Sequence, residues 1–277
     1  MTDRTWHDVP LGPIHAWRRG GGRSAGVFLH GGPGLGDYLE SFADEVADTV
    51  GDGWTFMRFQ QRGLAPSGLE GPFDIATAVD DVRQVVAAAG VDRAVLLGHS
   101  WGGHLALHVA VAAPEIVASL VLIDPLGAVD SRASMHAALN DRVGEAARAE
   151  AEELMQSGRI AEGFALVWPG YFSSVDVAPP MLPLVFGPEA SGGLDPDMSR
   201  HFAARTLELG LSRFPGRALF ILGRESPIPF EHGERTAAML GSPDGAVETT
   251  VLPTGHFPWI EQPGVVGELV ARFLDRR

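Results

Sequence analysis

Ala94-Val95-Leu96-Leu97-Gly98-His99-Ser100-Trp101-Gly102-Gly103-His104-Leu105-Ala106-Leu107-His108-Val109-Ala110 is the stretch on which the fold turns. Four apolar residues suited to a buried strand lead in, and an Ala/Leu run suited to a helix leads out. Between them a serine stands at the apex of a turn, with glycine two positions before and two after it. So sharp a turn drives its central residue into sparsely populated backbone space, and only glycine at the flanks lets strand and helix pass. The Ser100 hydroxyl is therefore presented for chemistry. The first N–H groups of the following helix have no partner within it, and they face any negative charge that develops beside the serine. Gly98 to Gly103 thus offer a nucleophile, Ser100, and one oxyanion donor, the Trp101 N–H.

The rest of the chain sets bounds on this reading. At 277 residues, 45% hydrophobic and 20% charged, it suits one large α/β domain or a core with an inserted subdomain. No window approaches the roughly 18 uninterrupted apolar residues of a membrane span. The polar start, Met1-Thr2-Asp3-Arg4-Thr5-Trp6-His7-Asp8, lacks the apolar core of a secretory signal, so a cytoplasmic location is expected. With no cysteine there is neither a thiolate nucleophile nor a thiolate metal site. A net charge of −14, with no basic stripe to offset it, repels nucleic acid and anionic membranes. The expected partner is a small-molecule substrate.

Working outward, Ile14-His15-Ala16-Trp17-Arg18 alternates as an edge strand would, and Ala25-Gly26-Val27-Phe28-Leu29 reads as a buried strand. The latter runs into His30-Gly31-Gly32-Pro33-Gly34, whose glycines let backbone N–H groups approach a ligand. Gly32, with Gly31 as the lesser choice, is assigned the second oxyanion donor, opposite Trp101. A helix from Tyr38 to Thr49 and a strand Thr55-Phe56-Met57-Arg58-Phe59 follow. Asp74 then caps a helix whose inward face is Ile75, Val79, Val82, Val85 and Val86. Beyond the serine helix, Ser119-Leu120-Val121-Leu122-Ile123-Asp124 is a buried strand ending in a carboxylate. In parallel sheets that end of the strand faces the ligand crevice.

From Leu126 to Leu211 no strand-like run occurs, and Ala133 to Leu139 and Glu145 to Gln156 read as helices. The expected organisation is a core of residues 1–125 and 212–277 interrupted by a helical insertion, 126–211. Trp168 and Tyr171 in that insertion are candidates to line a pocket. Strands Ala218-Leu219-Phe220-Ile221-Leu222 and Val247 to Leu252, and a helix from Val265 to Leu274, complete the pattern.

Three segments carry a family resemblance: His30-Gly31-Gly32-Pro33-Gly34, Gly98-His99-Ser100-Trp101-Gly102-Gly103 and Gly255-His256. In this order and spacing the chain resembles an α/β-hydrolase with a cap domain between its sixth and seventh core strands. The Pro33 loop and Gln61-Arg62-Gly63 are also similar to the proline iminopeptidase branch, which reads Asp where this chain has Gln60. The resemblance implies Ser100 as nucleophile and His256 as general base, with no cofactor.

The orienting acid departs from the family pattern. Most relatives place it after the seventh strand, but that segment here is Gly223-Arg224-Glu225-Ser226-Pro227, with Ser226 in the expected slot. Asp124 is the preferred acid, after the minority of relatives that carry theirs on the sixth strand, and Glu225, one position off, is the alternative. His30 is expected to order its loop and His99 to pack at a strand end. His104 and His108 stand at helical i, i+4 spacing, yet Leu105 occupies the place a zinc-site glutamate would take, so no metal is expected.

The reading is a serine hydrolase acting on an ester, thioester or lactone of a small apolar molecule. The resemblance leaves open a proline iminopeptidase-like aminopeptidase and a non-hydrolytic acyltransferase or cyclase. A dehalogenase or epoxide hydrolase of this fold would carry Asp at position 100.

Overall fold

The computed structural model describes residues 5–243 and 246–276, so the polar residues 1–4 lie outside it. Eight strands form one sheet: β1 (His7–Leu11), β2 (Ile14–Gly20), β3 (Ser24–Leu29), β4 (Trp54–Gln60), β5 (Ala94–His99), β6 (Val117–Ile123), β7 (Arg217–Gly223) and β8 (Val247–Leu252). Their spatial order is β1-β2-β4-β3-β5-β6-β7-β8. All pairings from β4 to β8 are parallel, and only β1 and β2 run against their neighbours.

The uninterrupted apolar strands follow from burial on both faces. In β5, Val95 and Leu97 belong to one core and Leu96 to the other; in β6, Val121 and Ile123 oppose Leu120 and Leu122. One face is covered by α2 (Ile75–Ala88) and α3 (Trp101–Ala112), the other by α1 (Glu40–Val50) packed on α11 (Val265–Asp275). Helix α2 begins as its sequence predicts: the Asp74 carboxylate accepts a hydrogen bond from Thr77 N at 2.7 Å, and Ile75, Val79, Val82, Val85 and Val86 are buried. Helix α3 is buried on every side from Trp101 to Ala110, so its run of Ala, Leu and Val shows no polar face.

One strand expectation needs correction. The segment Ile14–Gly20 lies inside the sheet, and the edge is β1, which pairs Leu11 with Ile14 and His7 with Arg18. The polar, largely exposed His-Asp-Val-Pro-Leu carries no buried alternation to announce it, and an edge is where a strand proline is tolerated.

Between β6 and β7 lie the helices α4 (Arg132–Val143), α5 (Glu145–Gln156), α6 (Ile160–Val167), α7 (Pro188–Ala203) and α8 (Thr206–Gly210), with short 3-10 turns and an isolated antiparallel bridge between Phe186 and Leu35. This segment is tied back to the core. Gly36 N donates to Val185 O and Gly187 N to Gly34 O, at 2.8 and 2.7 Å. Helices α9 (Phe230–Ala237) and α10 (Pro258–Glu261) flank the last strand. No helix among the described residues is long and apolar enough to cross a membrane.

Candidate active site

Ser100 sits between β5 and α3 with φ 55° and ψ −121°. Its N–H donates to Ile123 O at 3.1 Å, and its carbonyl accepts from Gly103, His104 and Leu126 N–H groups at 3.0–3.2 Å. A strained residue persists where its surroundings over-determine it, and here both β6 and α3 do so. The glycine requirement is steric. A Cβ at Gly98 would lie 2.4 Å from Gly102 O, and one at Gly102 would lie 2.0 Å from Leu29 O.

Asp124 leaves the end of β6 with φ 41° and is 1% exposed. Its Oδ1 accepts from Gly223 N at 3.0 Å, while Oδ2 is hydrogen bonded to both His256 Nδ1 and the Ser226 hydroxyl. Since a carboxylate only accepts, the neutral ring of His256 carries its proton on Nδ1 and has its lone pair on Nε2. Glu225, by contrast, is exposed; its N–H is hydrogen bonded to Thr254 O and its carbonyl to the Arg142 guanidinium, on which its carboxylate also acts electrostatically. The chain brings Asp124, and not Glu225, to the histidine.

Ser226 is a participant that sequence reasoning passed over. It occupies the slot after β7, where its hydroxyl donates to Asp124 and accepts from Ile228 N at 3.1 Å. Ser226→Ala removes one hydrogen bond to a buried carboxylate, an interaction of about 1.5–3 kcal/mol. The expected result is a fall in kcat of about tenfold and in Tm of about 5 °C, read by steady-state assay and thermal melting.

His256 follows β8, with its N–H on Tyr171 O at 2.7 Å. Close packing again demands glycine: a Cβ at Gly255 would stand 2.3 Å from the same Tyr171 carbonyl. Ser100 and His256 both line a cavity of about 240 Å³. Its remaining walls are Gly32, Pro33, Leu35, Tyr38 and Phe257 from the core, and Leu126, Met135, Met155, Ile160, Phe164, Tyr171 and Phe186 from the segment after β6. No carboxylate, lysine or arginine is among them. Burial pushes the Tyr171 phenol up to about 12, so it faces the cavity uncharged.

Trp168 is not part of this wall, contrary to expectation. Its indole is 2% exposed, donates to Pro179 O at 2.9 Å and packs against Phe172 and Phe257. Trp168 opens the 3-10 turn that follows α6 and lies in the core, while Tyr171, at the end of the same turn, reaches the cavity.

The glycine loop lies directly over the serine. A Cβ at Gly31 would be 3.1 Å from Ser100 Cβ, and the Gly31 N–H is already donated to the Tyr38 hydroxyl, leaving Gly32 as the candidate donor of the loop. His30 orders this loop through Gly31 O and Gln61 N. Gln61 bridges further, donating to His30 O and accepting from Trp101 Nε1, both at 2.8 Å. Gln60 accepts from Asp37 N at 2.9 Å and donates to Gln61 O at 3.0 Å, and an aspartate could not make the second bond. His99, expected to pack, is hydrogen bonded at both ring nitrogens. His104 and His108 bond to each other through their Nε2 atoms at 3.2 Å, with His104 Nδ1 on Gly127 O.

A serine at the strand-to-helix elbow of a mostly parallel sheet, with a histidine after the last strand, is the arrangement of the α/β hydrolases. The chain has that fold, and a family model described as alpha/beta hydrolase fold matches residues 27–158. It is similar to a proline iminopeptidase of Chitinophaga pinensis, 33% identical over 41% of this chain and 40% of that protein's length. The fold of a serine hydrolase from Cycloclasticus zankles superposes over 98% of both chains at TM-score 0.69 and 15% identity. The enol-lactonase of Burkholderia xenovorans LB400 does so over 98% of this chain and 100% of its own at TM-score 0.65 and 17% identity.

Proposed function

We propose that the protein is a serine hydrolase cleaving an ester, thioester or lactone of a small, apolar molecule through an acyl-enzyme intermediate. The observation that carries this reading is that Ser100 and the His256 imidazole open into one uncharged cavity while Asp124 holds the opposite ring nitrogen. In this mechanism His256 Nε2 takes the proton of Ser100 Oγ as the oxygen attacks the carbonyl carbon. Asp124 stabilises the resulting imidazolium, and the N–H groups of Gly32 and Trp101 receive the oxyanion. The proton passes to the leaving group as the acyl–oxygen or acyl–sulfur bond breaks. Water, deprotonated by the same histidine, then releases the acid.

Residues 126–211 act in this reading as a cap over a core of 1–125 and 212–277, in the cytoplasm, with a small molecule as the only partner. The aminopeptidase alternative would need a carboxylate to hold a substrate ammonium. None lines the cavity, and Glu145, Glu150, Glu152, Glu153 and Glu162 are all exposed.

A fluorophosphonate probe should label Ser100 in the wild type and not in Ser100→Ala. Turnover of p-nitrophenyl butyrate should exceed that of prolyl p-nitroanilide by at least about 100-fold, the cost of seating a charged amine in an apolar site. A preference for the prolyl substrate would overturn the reading. Labelling with no ester turnover would replace it with acyl transfer or cyclisation.

A further inference from the structure

We propose that the Tyr38 hydroxyl, acting through His99, is a positioning device that holds the oxyanion loop and the backbone of the general base in one frame. The proposal rests on the serine-hydrolase reading above. Gly31 N lies 3.0 Å from Tyr38 Oη, Tyr38 Oη lies 2.6 Å from His99 Nδ1, and His99 Nε2 lies 2.8 Å from the carbonyl oxygen of His256.

The direction of every bond in this chain follows from chemistry. A carbonyl can only accept, so Nε2 of His99 carries a proton. Complete burial disfavours the imidazolium and holds the ring well below its ordinary pKa, so Nδ1 is bare and accepts. Tyr38 therefore donates to His99, and its lone pairs receive the Gly31 N–H.

Both ends of the relay matter to the reaction. At one end the bond orients the peptide of Gly31, immediately before Gly32, which has φ +141° and whose own N–H serves the oxyanion. There is little slack, because a Cβ on Gly31 would stand 2.1 Å from the Tyr38 hydroxyl. At the other end His99 fixes the His256 carbonyl while Tyr171 O fixes its N–H, so the base is bracketed on both sides of its Cα. His99 itself immediately precedes the nucleophile, and its ring lies 4.5 Å from that of His256. One phenol hydroxyl thus connects the glycine loop, the end of β5 and, through His99, the turn that carries His256.

The test is Tyr38→Phe, which keeps the ring packed against His99 and Phe257 and deletes only the oxygen. Misplacement of reacting groups by a fraction of an ångström to one ångström predicts a fall in kcat of about 10- to 100-fold. KM for p-nitrophenyl butyrate should stay within about threefold, and fluorophosphonate labelling of Ser100 should slow in step with kcat. A merely structural tyrosine would lower Tm and leave kcat of the folded fraction alone. Independently, long-range ¹H–¹⁵N spectra of the wild type should show His99 neutral and protonated at Nε2. Protonation at Nδ1, or Tyr38→Phe turnover within twofold of wild type, overturns the proposal. Should the wild type neither label nor cleave esters, the hydrolase reading fails, while the His99 spectrum still decides whether the relay exists.

Discussion

Asp124→Asn is expected to lower kcat by up to about 10⁴ while the protein stays folded, and Glu225→Gln to leave kcat within twofold. The amide can still accept from Gly223 N, as Oδ1 of the carboxylate does. Toward His256 it presents either an oxygen without charge or an N–H. In the second case Nδ1 must accept, the ring proton moves to Nε2, and the lone pair that deprotonates Ser100 is gone. Asparagine is among the side chains that tolerate left-handed backbone, so the φ of 41° at this position does not count against the variant. Glu225 is exposed, whereas the carboxylate hydrogen bonded to the imidazole is that of Asp124. Steady-state kinetics on p-nitrophenyl butyrate, with melting curves in parallel, check the pair. Loss confined to Glu225→Gln would reverse the assignment.

The second large effect is on stability. His30, His99, His104 and His108 are all buried, and burial is the first cause holding each below its ordinary pKa, His104 at about 4. In the unfolded chain each titrates near 6.5. Between these values the unfolded state binds more protons than the folded one, so stability falls as pH falls. The contribution is complete above about pH 6.5 and declines from there toward the folded pKa, about 4 for His104. His104 alone, the difference between 6.5 and about 4, loses about 3 kcal/mol across the window at about 1.4 kcal/mol per unit. Three further buried rings, His30, His99 and His108, are shifted in the same direction and act with the same sign. Tm measured by calorimetry should therefore drop steeply from pH 6.5 downward, above the range in which carboxylates titrate. A flat Tm from pH 7 to pH 5 would contradict this account.

Those elements whose signal lies in local pattern were legible in the sequence. The apolar strands are continuous because both faces of the sheet are covered, the Asp74 cap and the valine stripe of α2 announce a helix, and glycines 98 and 102 stand where strand meets helix. Asp124 was visible as a carboxylate at the end of a buried strand. Features decided across long sequence separations were not legible. Nothing near Ser226 says that its hydroxyl meets a carboxylate 102 positions away, and nothing near His99 says that it reaches the carbonyl of residue 256. Trp168 and Tyr171 are both aromatic residues of one short turn, and only packing separates the one in the core from the one at the cavity.

The hydrogen bond from His256 N to the Tyr171 carbonyl ties reactivity to selectivity. The residue that walls the cavity also anchors the backbone of the proton acceptor. Exchanging residues 126–211 for a foreign insert to change substrate preference would remove that anchor unless the graft supplied a carbonyl at the same point. On the proposed reading, selection for a new substrate must therefore work within whatever sequences keep one main-chain acceptor in register with residue 256, an inheritance written in the backbone and invisible to any comparison of side chains.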